Sequence, residues 1–186
     1  EGGGWAGRFI WTLEAVGHER WRCLDGGIHA WQADGLPLST ELPERPAGCR
    51  PLARNEAVIA EAEDVLAASE TGSAQIWDAR SREEYTGARL AAARGGHVPG
   101  AVHLDWLELM DRSRALRLRE DVETVIRAAG IDPARPLITH CQTHHRSGLT
   151  WLVARLLGCP DARAYHGSWA EWGNRPELPV RTGDAP

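Results

Sequence analysis

The 186-residue sequence predicts an α/β fold, a mainly parallel sheet flanked by helices on both faces with an active loop between a strand and a helix. Three observations predict it. Short apolar runs alternate with amphipathic segments from Glu61 onward, the pattern of βα units. Gly130 and Gly158 stand where two of the amphipathic segments must stop. Residues 139–150, THCQTHHRSGLT, place a lone cysteine in a polar loop between a strand-like run and a helix-like one. In sheets of this class the carboxyl ends of the strands are where ligands bind.

In chain order, residues 61–68 have helical spacing and residues 74–77 form a short apolar strand that runs into Asp78-Ala79-Arg80. Ser81 and Glu84 make a Ser-x-x-Glu capping box, which opens a short helix. A glycine/proline turn then leads to a brief strand at 101–104. Residues 117–129 are amphipathic up to Gly130, residues 136–139 are strand-like, and residues 147–157 form a helix closed by Gly158.

The sequence also resembles itself. Shifted by 141 positions, Gly7, Gly17, Arg22, Gly26 and Trp31 fall on Gly148, Gly158, Arg163, Gly167 and Trp172. Residues 1–38 are therefore expected to be the tail of a first domain whose second copy ends the chain. Residues 39–54, with Pro43, Pro46 and Pro51 and with Pro37 just before, are expected to form a linker, and residues 55–186 the second domain.

Composition excludes several classes of function. A net charge of -5 leaves no basic footprint for nucleic acid. No apolar run approaches the ~20 residues of a membrane span. All 21 basic residues are arginine, so Schiff-base chemistry is excluded and any anion must be held by arginine, imidazolium or backbone amides. Cys23, Cys49, Cys141 and Cys159 form no C-x-x-C pair, which argues against a zinc ribbon or a disulfide framework and for a reducing cytoplasm. Cys23, Cys49 and Cys159 are expected to be buried structural residues.

Cys141 differs from those three. A strand-to-helix loop gathers inward amides at the positive end of a helix dipole, and Arg146 adds a full charge. Both favour a thiolate, and His144 and His145 would add to this if protonated. A metal site built from His140, Cys141, His144 and His145 would crowd adjacent residues onto one ion and has no remote partner, so no metal or cofactor is expected. A cysteine phosphatase also uses a Cys-loop-Arg cradle, but with a loop one residue longer, and the smaller ring suits sulfur better than a phosphoryl group.

The second copy resembles the rhodanese (sulfurtransferase) family across nearly its whole length. The resemblance rests on Asp78-Ala79-Arg80, on Gly96-His97-Val98-Pro99-Gly100-Ala101, on the loop Cys141 to Arg146, and on Tyr165-His166-Gly167-Ser168-Trp169. The loop is most similar to that of bacterial tandem-domain thiosulfate sulfurtransferases. The resemblance implies a rhodanese-like fold in which Cys141 takes sulfane sulfur from thiosulfate, becomes a persulfide, and passes the sulfur to cyanide or a thiol, with a protein acceptor as a further candidate. It implies substrate binding by Gln142, Thr143, His144, His145 and Arg146, and support from Asp78, Arg80, Trp106 and Ser147. Asp78 and Arg80 are expected to form an ion pair beneath the loop, Trp106 to wall the pocket, and His97 and His103 to be structural. Trp169, Glu171 and Trp172 are expected to cap the last helix. Relatives selective for thiosulfate often carry arginine where Glu84 stands, so Arg146 would carry more of the donor's charge. The alternatives are a 3-mercaptopyruvate sulfurtransferase, the phosphatase, and a non-catalytic binding module, against which retention of Cys141 and Arg146 argues. A monomer is expected.

Overall fold

The computed structural model describes residues 2–44, 46, 48 and 51–186. Its frame is a five-stranded parallel sheet in the order β1-β7-β6-β2-β3. The strands are β1 (Ile59–Ala60), β2 (Gln75–Asp78), β3 (Ala101–His103), β6 (Leu137–His140) and β7 (Ala162–Tyr165). A two-stranded antiparallel ribbon, β4 (Met110–Asp111) with β5 (Arg117–Leu118), lies outside it.

The central strands β2 and β6 are buried at every position, as a sheet covered on both faces requires. Alternate side chains enter two separate cores. Trp77, Leu137 and Ala164 point into one, with Ile10 and Trp11 of α1 (Gly4–Ala15), Ile126 of α5 (Val122–Ala128), and Leu149 and Trp151 of α6 (Arg146–Leu156). Ile76, Ile138 and Tyr165 point into the other, with Val65 of α3 (Ala62–Thr71), Tyr85 of α4 (Arg82–Thr86), and Trp169 and Trp172 of α7 (Ser168–Trp172). Trp169 and Trp172 are thus core residues, not the helix caps expected of them; their indole N–H groups donate to the carbonyls of Arg94 and Pro179.

The predicted strands and helices form, most of them displaced by a residue or so. Glu61 is a cap rather than a first helical residue, because its amide donates to the Asp64 carboxylate at 2.9 Å. The Ser81/Glu84 capping box closes in both directions. One expectation is corrected. Residues 117–129 are not one helix: Arg117 and Leu118 pair with Asp111 and Met110, and the Leu118 amide donates to the Asp25 carboxylate at 2.8 Å. The amphipathic spacing there is overridden by a nearby ribbon partner and by the distant Asp25, and the helix begins only at Val122.

Before the sheet come α1 and α2 (Gly27–Ala33). On the 141-residue offset α1 falls on α6 and α2 on α7. The described residues of 39–54 carry neither helix nor strand; Ala53 bonds back to Val16, and beyond them Asn55 bonds to Ala15 at the end of α1. Cys159 is buried, as expected. Cys23 is only partly buried, on a cavity of about 370 Å³ lined also by Trp5, Trp21 and Leu152. Cys49 lies outside the described residues. No described helix is long and apolar enough to cross a membrane.

Candidate active site

The parallel register places three strand exits side by side. Asp78 is level with His140 on one side and with His103 on the other. The following residues, Ala79, Cys141 and Leu104, therefore leave the sheet at one edge. Ala79 N–H donates to the His140 carbonyl at 3.0 Å, and Trp106 N–H to the Ala79 carbonyl at 3.3 Å.

Cys141 is fully buried at the foot of the loop. The residues after β7 hold that loop in shape. Ser168 sits at φ 53, and its hydroxyl donates to the Tyr165 carbonyl at 2.9 Å. The same oxygen accepts from the amides of His144 at 3.1 Å and Cys141 at 3.4 Å. The Trp169 and Ala170 amides donate to the Cys141 and Gln142 carbonyls, each at 2.9 Å. In a planar trans peptide the next N–H points opposite the carbonyl. The Gln142 and Thr143 amides therefore face away from α7, and neither has an acceptor among the described residues. With the Arg146 and Ser147 amides of the first turn of α6, they form a donor set at the positive end of an 11-residue helix, while the Gly148 amide donates to the His145 carbonyl at 3.2 Å.

Helix α1 builds the outer wall. Arg8 Nη1 donates to the Thr143 carbonyl at 3.1 Å, Trp5 lies 4.4 Å from the His145 ring, and Trp11 meets the His144 ring edge-on at 4.4 Å. Trp106 lies on the same side, 6.2 Å from the His145 ring. None of the three α1 residues was expected at the site. His144 takes the left-handed backbone at φ 58, and its Nδ1 lies 2.9 Å from Ser147 Oγ. Burial, reinforced by the Arg8 charge, pushes its imidazole down to about 3. His144 is neutral near pH 7, so it adds no positive charge to the loop and serves as packing and frame.

Beneath the loop, the Arg80 guanidinium grips the Asp78 carboxylate with Nη2 to Oδ2 at 2.6 Å and Nε to Oδ1 at 2.9 Å, both residues fully buried. Burial would raise the Asp78 carboxyl, but the adjacent charge and hydrogen bonds outweigh it and hold it at about 2. Arg80 also lies 4.3 Å over the Trp169 ring and donates to the Gly96 carbonyl. His103 Nε2 sits 2.8 Å from the Arg80 carbonyl, and His97 is stacked on Tyr85 with Nδ1 2.8 Å from its carbonyl.

Arg146 departs most from expectation. Its guanidinium is held in a two-pronged pair with Glu84, at 2.6 and 2.9 Å. Burial disfavours its charge, but the Glu84 hydrogen bond and nearby negative groups outweigh that and raise its pKa further. Burial pushes the Glu84 carboxyl up while Arg146 pulls it down more strongly. Arg146 is a neutralised cation, not the free one the loop sequence suggests.

Residues 61–175 match the family described as the Rhodanese-like domain. The chain belongs to the rhodanese family. Among rhodanese relatives, it is 49% identical over 180 residues to the thiosulfate sulfurtransferase of Azotobacter vinelandii and 48% identical over 180 residues to that of Pseudomonas aeruginosa. Each match covers 97% of this chain and 66% of the relative, so the chain spans just under two-thirds of their length. The sulfur carrier protein TtuD of Thermus thermophilus is 31% identical, with 97% of this chain and 68% of that one covered. Among solved structures, the anaerobic ergothioneine biosynthesis enzyme from Chlorobium limicola, in complex with trimethyl histidine, superimposes with a TM-score of 0.83 at 26% identity. That match covers 96% of this chain and 45% of the other. The rhodanese match begins at residue 61, so Trp5, Arg8 and Trp11 wall the loop from outside it.

Proposed function

We propose that the chain is the catalytic part of a sulfurtransferase that moves sulfane sulfur from thiosulfate to cyanide or a thiol through a persulfide on Cys141. The observation that carries this is the anchoring of the Cys141 and Gln142 carbonyls to α7, which leaves the Gln142 and Thr143 amides without acceptors in the loop that follows one buried sulfur. In the first half-reaction the Cys141 thiolate attacks the outer sulfur of thiosulfate. A Cys141 S–S bond forms, the donor S–S bond breaks, and sulfite leaves with the bonding pair. The outer persulfide sulfur keeps the negative charge and accepts from the loop amides. In the second, cyanide or a thiolate attacks that sulfur, thiocyanate or a new persulfide leaves, and the Cys141 thiolate is restored. Gln142, Thr143, His144, His145 and Arg146 shape the cradle; Asp78, Arg80, Trp106 and Ser147 support it.

In this reading residues 1–38 are the end of a first, non-catalytic rhodanese-like domain. The coincidence of α1 with α6 on the 141-residue offset and the greater length of the relatives support it. The same relatives favour thiosulfate as donor.

The test is intact-protein mass spectrometry after incubation with thiosulfate. A gain of one sulfur on the wild type, removed by cyanide and absent from Cys141→Ser, is the expected result. No gain, or an equal gain in the serine variant, overturns the assignment.

A further inference from the structure

We infer that Arg8 is a positioning residue for sulfur transfer: from α1, outside the rhodanese match, it holds the Thr143–His144 peptide of the active loop in a strained orientation. The inference rests on the sulfur-transfer reading above and adds to it a residue that sets how often the loop is competent to load sulfur.

The Thr143–His144 peptide is strung between two anchors. On one side the His144 amide donates to Ser168 Oγ at 3.1 Å, and on the other the Thr143 carbonyl accepts from Arg8 Nη1 at 3.1 Å. A planar trans peptide points these two groups in opposite directions, so both anchors oppose rotation of the same unit. The orientation they hold is not the one the chain prefers. His144 has φ 58, in the left-handed region where a side chain crowds the backbone. Half a turn of the peptide would carry His144 into the ordinary extended region and relieve that crowding. It would also swing the Thr143 carbonyl toward Ser168 and take the His144 amide away from it. Ser168 Oγ accepts the Cys141 amide as well, so the turned peptide would disturb the anchor of the whole loop.

Arg8 is placed to prevent this. Its backbone is seated directly on α6, because a Cβ on Gly148 would overlap the Arg8 amide. No carboxylate pairs with its guanidinium among the described residues, which leaves the Thr143 carbonyl as its partner. Trp11, three residues on, meets the His144 ring edge-on at 4.4 Å, and its own indole N–H is fixed on the Val58 carbonyl at 2.8 Å. Ring and peptide of the strained residue are thus held from one helix. Ser168 lies within the rhodanese match; Arg8 and Trp11 do not.

The test compares the wild type with Arg8→Met, which keeps an unbranched side chain without its donors, and with Arg8→Lys, which keeps a charged donor. Two quantities are measured: the rate of Cys141 persulfide formation from thiosulfate, read by mass, and hydrogen exchange at the His144 amide. Arg8→Met is expected to slow persulfide formation by about fivefold, or about 1 kcal/mol, a modest loss because Arg8 and Thr143 are both exposed. Exchange at His144 should speed up by a similar factor, while β2 amides and the urea midpoint keep their wild-type values. Arg8→Lys should restore most of both. Loading at the wild-type rate in Arg8→Met overturns the inference. So does slower loading with His144 exchange unchanged, which would make Arg8 a charge that attracts the donor. Faster exchange throughout the sheet, or a lowered urea midpoint, would make it a general stability residue and overturns the inference equally. Failure of the wild type to load Cys141 is a different result: the sulfur-transfer reading falls, and His144 exchange in Arg8→Met still shows whether Arg8 holds the peptide.

Discussion

Gly7 of α1 and Gly148 of α6 touch backbone to backbone, and they are the two positions that the 141-residue offset pairs. A Cβ on Gly7 would overlap the Gly148 carbonyl, and one on Gly148 would overlap the Arg8 amide. Only two glycines let the helices approach this closely, and the approach brings Trp5, Arg8 and Trp11 onto the loop.

Gly148→Ala should therefore destabilise the protein by roughly 1–3 kcal/mol, the range for overpacking against neighbours that cannot yield. Gly7→Ala should do the same. The double variant should cost clearly less than the sum, since one separation of the helices relieves both overlaps. Urea denaturation midpoints of the four proteins decide this; full additivity would show that the two positions do not share a contact.

Ser168→Ala should loosen the active loop more than the rest of the protein. Its hydroxyl satisfies two loop amides, and leaving a buried donor unmet costs about 1–3 kcal/mol. Hydrogen exchange at Cys141 and His144 should speed up by at least tenfold, while β2 amides keep their wild-type protection. Uniform acceleration through the sheet would mean that Ser168 supports the whole domain instead.

Acid should weaken the fold through two groups, over windows that overlap only near their acid end. His144 is depressed by burial to about 3, so between 6.5 and that value the unfolded chain binds a proton that the folded one does not. Its contribution is present above about 6.5 and falls as pH drops, by an amount on the order of a few kcal/mol. Asp78, held at about 2, keeps its contribution until pH falls below about 4, and loses it as pH approaches 2. Stability of wild type and His144→Gln measured from pH 7 to pH 4 should show a shallower slope in the variant. Parallel curves would place the acid sensitivity elsewhere.

A bulky disulfide reagent should label Cys23 before Cys141 or Cys159 in the folded protein. Cys23 lines an open cavity, whereas Cys141 is fully buried and Cys159 nearly so. Burial also pushes the Cys159 thiol up to about 11, which slows it further. Peptide mapping over time gives the order. Early labelling of Cys141 would show that the loop opens widely enough to admit more than a small donor.

What the sequence determined by itself was physics among near neighbours. The Ser81/Glu84 capping box, the Gly158 stop, the alternation that sends Ile76 and Trp77 to opposite faces, and the Cys141 loop between β6 and α6 all act within a few residues. Each could be read locally, which is why most strands and helices form within a residue or so of their expected places, the exceptions being 117–129 and the helix expected at 61–68, which runs on to Thr71. Tertiary structure decided the partners. Arg146 meets Glu84 across 62 positions, Ser168 reaches His144 across 24, and Arg8 reaches Thr143 across 135. Even the helix expected at 117–129 lost its first residues to a ribbon with Met110 and Asp111, which the Asp25 carboxylate, 93 positions from Leu118, holds in place. An arginine's sequence neighbours show that it is charged, but whether that charge is free or neutralised depends on which carboxylate the folded chain brings within about 3 Å, where charge-assisted hydrogen bonds form.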